Sequence, residues 1–226
     1  SMESAFRDAH YIKEATIPGY MQSGENLLFL SKFLSKSRAV ESHPEIVADH
    51  LKLVHEDCNQ EGRNRNSSGP LPMFTIRPCE PDDCVEMAQI FNKVFASYPF
   101  PVHDPEYLKR TMISHTHYYG AFLNQQIVGL CAGEVDWDHY AAEMTDFAVL
   151  PTMRGRGLAA KLLKRLEREM YAKGLRTAFT ISRTLSLGIN LVFQRANYKF
   201  GGTLINSTQI SGGIESMWVW HKRLTG

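Results

Sequence analysis

The stretch of this sequence best suited to chemistry is a turn rich in glycine and arginine at residues 154–159. Gly155 and Gly157 can adopt backbone conformations closed to other residues, and they let the main chain approach a ligand closely. A helix follows directly, and the unpaired N–H groups and dipole of its first turn favour a negative charge. The turn therefore predicts a pyrophosphate site. Its six residues are Arg154, Gly155, Arg156, Gly157, Leu158 and Ala159.

Two other nucleotide-binding turns fit this stretch less well. The dinucleotide fingerprint expects an acidic residue about 20 positions after its glycines, but residues 177–184 contain no acid. A P-loop requires Gly-Lys-Ser/Thr at its end, which is missing. A tight strand-to-helix turn without any ligand is the remaining alternative.

Three predicted strands before the turn and one helix after it must position these residues. The strands lie at about residues 118–123, 127–135 and 142–150, and their short connections favour an antiparallel meander. The helix at 157–173 has apolar residues at helical spacing and ends at Gly174. Further strands are predicted at 74–77, 177–182, 200–206 and 215–222. Further helices are predicted at 81–96 and 186–195, and another helix should begin directly after Asp104, which is placed to be its N-cap. This order predicts an α/β fold (α+β, with a mixed sheet).

A polar segment rich in glycine and proline, residues 59–72, is typical of a linker. It separates an N-terminal appendage, residues 1–58, from a main domain at 73–226. Pro44 is placed to begin a helix that reaches about residue 58.

The appendage contains an echo of the main domain. Residues 6–11 match residues 193–198 at Phe, Ala and Tyr, and two strand-like runs follow each segment. We infer that residues 1–35 are the end of a truncated second copy, with chance similarity as the rival explanation. Two strands alone are marginally stable, so they should pair with an edge of the main domain or with another chain.

Composition excludes several classes of function. The 25 basic and 24 acidic residues nearly cancel and are dispersed, which argues against nucleic acid as a partner. No apolar run approaches the roughly 20 residues that span a bilayer, and no secretory signal begins the sequence, so a cytoplasmic protein without a membrane partner is expected. The four cysteines lack the spacing of a zinc site, and no metal is predicted.

Arg154, Gly157 and Ala159, together with the order of elements, resemble the acetyl-CoA signature of the GNAT acetyltransferases, Arg/Gln-x-x-Gly-x-Gly/Ala. The resemblance covers about residues 73–224 and implies a GNAT fold and an acetyl-CoA-dependent N-acetyltransferase. It also implies that the backbone of Phe147 and Val149 pairs with the pantetheine arm of the cofactor. Asn190 would reach that arm or the phosphates, unless it is only a solvated helical residue.

The resemblance also suggests a mechanism. An alkylammonium has a pKa near 10.4, so a base must take a proton before the amine can attack. The GNAT pattern gives that role to Glu143, with a solvated strand-end carboxylate as the alternative. On a regular strand Asp146 faces the other way, and it needs either a substrate ammonium or a structural partner. Phe193 stands where many GNAT enzymes have a Tyr that protonates the leaving thiolate. Either Tyr198 or a water protonates the thiolate in this sequence, or the step needs no acid.

A narrower resemblance is to the β-lysine N6-acetyltransferases of osmolyte synthesis, through residues 14–20, 98–101, 142–148, 201–204 and 212–217. It implies that the product is N6-acetyl-β-lysine, a compatible solute. Arg183 is the candidate for the substrate carboxylate. The predicted substrate-binding residues are Tyr98, Asp146, Arg183 and Glu215. Another amine acceptor, a non-catalytic acetyl-CoA-binding module and a homodimer are left open.

Overall fold

The computed structural model describes residues 2–58 and 74–225, and in this part of the chain the sequence periodicities form six α-helices and nine strands. The helices are α1 (Met2–Asp8), α2 (Pro44–Cys58), α3 (Cys84–Val94), α4 (Pro105–Ser114), α5 (Leu158–Ala172) and α6 (Leu187–Arg195). The strands are β1 (Ile12–Ile17), β2 (Leu27–Ser31), β3 (Thr75–Pro78), β4 (Thr116–Leu123), β5 (Gln126–Asp136), β6 (Ala141–Val149), β7 (Thr177–Arg183), β8 (Lys199–Ile210) and β9 (Gly213–Arg223). The predicted element order and the α/β fold are confirmed, whereas the predicted linker lies outside the described residues.

One mixed sheet of the described strands, in the order β2-β1-β8-β9-β7-β6-β5-β4-β3, carries the fold. Strands β4, β5 and β6 form the predicted antiparallel meander. Strand β7 runs parallel to β6, but the two pair only from Ala141–Thr177 to Glu143–Phe179. Beyond Glu143, β7 continues along β9 and leaves β6. The sheet therefore opens between the carboxyl ends of β6 and β7.

Helices cover both faces of the sheet. Leu162, Leu163 and Leu166 are fully buried on one side of α5, as their helical spacing predicts, and they pack with Met144 of β6. Helices α3 and α4 pack on the opposite face, where the Asp104 side chain accepts a hydrogen bond from the Glu106 amide and caps α4 as predicted. None of the helices in the described ranges is long and apolar enough to span a membrane.

The appendage is part of the same core. Val54 of α2 is 1% exposed and belongs to the cluster around α5. Arg195 of α6 forms a bidentate ion pair with Asp57 of α2, at 2.7 and 2.8 Å. Helix α2 is therefore stabilised by burial against the main domain.

The hairpin of β1 and β2 extends the sheet beyond β8, which is the edge pairing expected for the N-terminal strands. Ala15 lies opposite Gly202, whose φ is +143°. A Cβ atom on Gly202 would lie 2.1 Å from the Glu14 carbonyl oxygen, so only glycine permits this approach. The Glu14 carboxylate accepts a hydrogen bond from the Ile205 amide at 2.9 Å.

The two echoing segments have the same local structure. Phe6 and Tyr11 make an edge-to-face ring contact at 5.3 Å, and Phe193 and Tyr198 make one at 5.1 Å. The residue before each Tyr is left-handed, with φ of 66° at position 10 and 65° at position 197. That offset, 187 residues (197 minus 10), also relates the paired residues 15 and 202. These parallels support the hypothesis of a truncated second copy, whose strand β1 pairs antiparallel with the equivalent strand β8.

Candidate active site

A β-bulge in β6 reverses the alternation of its side chains. Leu130 of β5 lies opposite Ala148, but Ala132, two residues further on, lies opposite Thr145, so β6 holds one extra residue. Asp146 sits in this bulge with a left-handed φ of 54°.

The bulge places Asp146 on the same face of the sheet as Glu143. Met144 before the bulge and Phe147 after it pack in the cluster around α5, whereas Ala148 packs with α3 and α4. The expectation that Asp146 faces away from Glu143 is therefore wrong, because one inserted residue moves all later side chains to the other face.

Three carboxylates meet on this face. Glu134 of β5 lies directly opposite Glu143, whose Oε1 accepts a hydrogen bond from the Ile181 amide at 3.3 Å. Asp146 is 6% exposed, and its Oδ1 accepts a hydrogen bond from the Tyr98 hydroxyl at 2.6 Å. Tyr98 comes from the loop between α3 and α4, so the α3–α4 layer helps to hold the cluster.

The pKa values of the three carboxyl groups are raised. Burial, followed by the charges of Glu134 and Asp146, raises the pKa of Glu143 to about 8. Burial is also the main reason that the pKa of Asp146 rises to about 7, against the opposing hydrogen bond from Tyr98. Burial raises the pKa of Glu134. Among the described residues no Lys or Arg forms an ion pair with these groups, so a cationic ligand would complete the cluster.

The opening between β6 and β7 forms a cleft beside this cluster. The cleft is lined by residues of three elements and of the α3–α4 loop: Asp146 and Phe147 from β6, Arg183 from β7, Phe193 from α6, and Tyr98. Glu143 lies where the two strands stop pairing. A separate cavity of about 420 Å³ between β2, residues 32–38 and β8 contains none of the predicted site residues.

The glycine-rich turn suits a diphosphate. Gly155 and Gly157 have left-handed φ values of 72° and 73°, and a Cβ on either would meet no atom within 4 Å. Helix α5 starts at Leu158 with no side-chain cap, and Arg154 Nε donates to the Val149 carbonyl at 3.2 Å. An uncapped helix start beside open space fits an anionic group.

Asn190 is fully buried, and its amide makes four hydrogen bonds within the protein. Its Nδ2 donates to the carbonyls of Arg183 and Ser186, both at 2.9 Å, and its Oδ1 accepts from the Ser182 hydroxyl at 2.7 Å and from Trp220 Nε1 at 2.9 Å. Because every position of the amide is used, Asn190 holds the turn between β7 and α6. The structure therefore gives Asn190 a positioning role in place of the predicted contact with the cofactor.

The other two predicted substrate residues contact each other. Arg183 donates to Glu215 through Nε at 2.9 Å and Nη2 at 2.6 Å, and the Glu215 side chain is almost fully buried. Arg183 lines the cleft, and its guanidinium has donors beyond the two that Glu215 uses.

Tyr198 does not border the cleft, contrary to its candidacy as general acid. Its ring packs against Phe193, and Lys222 Nζ lies 5.5 Å from the ring centroid. Burial and the Glu167 carboxylate raise the pKa of Tyr198 well above its ordinary value. Tyr198 is kept away from the cleft because it lies directly before β8 and is buried in the core under α5.

Sequence reasoning missed two residues that approach the site, Glu134 and Tyr20. A carboxylate within the apolar run of β5 was a detectable signal for Glu134. Tyr20 carried no such signal, because the hairpin loop that brings it here is distant in sequence.

Comparisons with known proteins decide the family. The family described as Acetyltransferase (GNAT) family matches residues 86–186. N-acetyltransferase YodP of Bacillus subtilis (strain 168) is 32% identical over 214 residues, which cover 95% of this chain and 76% of that protein. A Beta-lysine N(6)-acetyltransferase of Methanococcus maripaludis is 33% identical over 217 residues, which cover 96% of this chain and 77% of that protein. The chain belongs to the GNAT acetyltransferase family.

This membership confirms the predicted enzyme class, an acetyl-CoA-dependent N-acetyltransferase. Solved GNAT structures confirm the fold. The ribosomal-protein-S18-alanine N-acetyltransferase from Escherichia coli has a TM-score of 0.59 at 16% identity and covers 68% of this chain and 96% of its own. An N-acetyltransferase from Staphylococcus aureus Mu50 has a TM-score of 0.59 at 21% identity, and the match covers 68% of this chain and 99% of that chain.

Proposed function

We propose that this GNAT enzyme transfers the acetyl group of acetyl-CoA to the N6 amine of β-lysine and forms the compatible solute N6-acetyl-β-lysine. The observation that carries the proposal is the cluster of Glu134, Glu143 and Asp146 beside the cleft, which no described cation neutralises. A substrate with two ammonium groups supplies the missing charge. The relatives named for β-lysine, at 29–33% identity, support this choice of acceptor.

The cofactor half of the site would be held mainly by backbone. Residues 154–159 would bind the diphosphate of acetyl-CoA through the start of α5. The main chain of Phe147 and Val149 borders the opening where β7 has left β6, and it would pair with the pantetheine arm. Acetyl-CoA supplies an acetyl thioester, and an N–H group of this strand would stabilise the negative charge that develops on the carbonyl oxygen.

Glu143 would act as general base. Its pKa of about 8 lies between neutrality and the pKa of an alkylammonium, so it can accept the proton of the amine and release it again. The Ile181 amide fixes one carboxylate oxygen, which leaves the other for the substrate.

Asp146, held by Tyr98, and Glu134 would bind the substrate's ammonium groups. Arg183 would bind the substrate carboxylate with the donors that Glu215 does not use, while Glu215 fixes the guanidinium.

No side chain is assigned to protonate the leaving thiolate. Phe193 in the cleft has no proton to give, and Tyr198 points elsewhere. A thiol with a pKa of roughly 8.5 can leave as the thiolate.

A coupled thiol-release assay tests the proposal, with acetyl-CoA and, in parallel, β-lysine, α-lysine, spermidine and a lysine peptide. We expect the highest kcat/KM with β-lysine. If another amine is turned over as fast as β-lysine or faster, that amine and not β-lysine is the acceptor. Binding of acetyl-CoA by calorimetry without turnover of any amine would favour a non-catalytic module.

A further inference from the structure

The loop between β1 and β2, residues 18–26, reaches across the sheet to the end of β5. The Tyr20 hydroxyl donates to Asp136 Oδ2 at 2.9 Å, and Gln22 Nε2 donates to the Asp138 carbonyl at 2.6 Å. His139 Nδ1 shares the same Asp136 oxygen at 2.7 Å. The hairpin is thus attached both at its base on β8 and at its tip.

Tyr20 lies close to the proposed base. It is 6% exposed, and its ring meets Phe179 edge-to-face at 5.8 Å and His139 at 5.3 Å. Phe179 is the residue of β7 paired with Glu143, at the point where β6 and β7 separate. Together with the buried Ile17, Tyr20 therefore covers the face of the sheet next to Glu143.

The electrostatics agree with this proximity. Burial, the bond to Asp136 and the charge of Glu143 all raise the pKa of Tyr20. The titratable groups that face Glu143 are Glu134 from β5, Asp146 from β6, Tyr98 from the α3–α4 loop and Tyr20 from the hairpin.

The hairpin lies outside the residues that the family model matches. That model covers residues 86–186, whereas the curated relatives cover 95–96% of this chain. Those relatives therefore share more of the chain than the family model describes.

We propose that the β1–β2 hairpin is the acceptor-side wall of the active site, and that Tyr20 positions the amine substrate against Glu143 and shields this carboxylate from water. This inference rests on the proposed acetyl transfer.

Tyr20→Ala tests the wall, with Tyr20→Phe as the conservative variant and Tyr11→Ala as a matched control in the same segment. Tyr20→Ala should raise KM for the amine about 10- to 100-fold while leaving KM for acetyl-CoA unchanged. It should also move the acidic limb of the kcat/KM profile to lower pH, because water reaches Glu143. Tyr20→Phe keeps the ring and should restore most of both properties, and Tyr11→Ala should change neither.

Gly202→Val gives an independent test, since its side chain would collide with the Glu14 carbonyl and displace the base of the hairpin. It should reproduce the Tyr20→Ala pattern while acetyl-CoA affinity, measured by calorimetry, persists. If Tyr20→Ala leaves both the KM for the amine and the acidic limb of the pH profile unaltered, the proposal that the hairpin is a wall of the active site is refuted, whereas the proposed acetyl transfer is not. Absence of turnover in the unsubstituted protein with every amine would overturn both proposals.

Discussion

Titration of Glu143 should control the rate of acetyl transfer between pH 7 and pH 9. With a pKa of about 8, the ionised fraction rises from about 9% at pH 7 to about 91% at pH 9. An acceptor amine with a pKa near 10.4 stays more than about 90% protonated over this range. Because only the ionised base accepts the proton, kcat/KM should rise about tenfold between the two pH values.

Glu143→Gln keeps the size of the side chain and removes the base. Turnover at pH 8 should fall by about 10²- to 10⁴-fold, and the rise with pH should disappear. The assay is steady-state thiol release at saturating acetyl-CoA, with cofactor affinity checked by calorimetry. Glu106→Gln, in the exposed ion pair with Lys109, is the matched control and should behave as the unsubstituted enzyme. A Gln variant that retains turnover and the same pH limb refutes Glu143 as the base.

Three further predictions concern stability and recognition. A pKa raised from 4.5 to about 8 means that the fold loses stability as pH rises through this range. The free energy of unfolding of Glu143→Gln should therefore equal that of the unsubstituted protein near pH 4.5 and exceed it at pH 8.5 by at most about 5 kcal/mol, as measured by thermal unfolding. If the two proteins are equally stable at both pH values, the burial assigned to Glu143 is contradicted. Gly157→Ala must hold a left-handed φ of 73°, so it should lower Tm by about 2–8 °C and raise KM for acetyl-CoA. Gly188→Ala, at a position with open space and no positive φ, should do neither, and similar losses in both variants would argue against a role for the turn. Arg183→Ala leaves the buried Glu215 carboxylate without its ion-pair partner and should lower the free energy of unfolding by about 3–5 kcal/mol, as measured by urea denaturation. It should also raise KM for β-lysine but not for cadaverine, which has no carboxylate, and an equal effect on both amines would exclude the carboxylate contact.

Local patterns in the sequence were sufficient for most elements. The apolar spacing of α5, Pro44 at the start of α2 and Asp104 as the cap of α4 were all predicted and observed. The left-handed glycines of the turn at residues 154–159 were also expected from residue type alone. Each of these features depends on contacts within one or two helical turns or within a single loop, so neighbouring residues contain the information.

The arrangement of the site depended on contacts between distant parts of the chain. The bulge that turns Asp146 toward Glu143 is a property of the register between β5 and β6, and strict alternation along one strand cannot reveal it. The same holds for Asn190, whose amide is satisfied by partners on β7 and β9. Tyr20 approaches Glu143 only because a hairpin more than a hundred residues earlier packs across the finished sheet. The sequence by itself determined which elements form and which glycines give the turn at residues 154–159 its left-handed backbone, because these follow from short-range periodicity and backbone freedom. Which carboxylates meet, and what encloses them, was decided by strand register and packing.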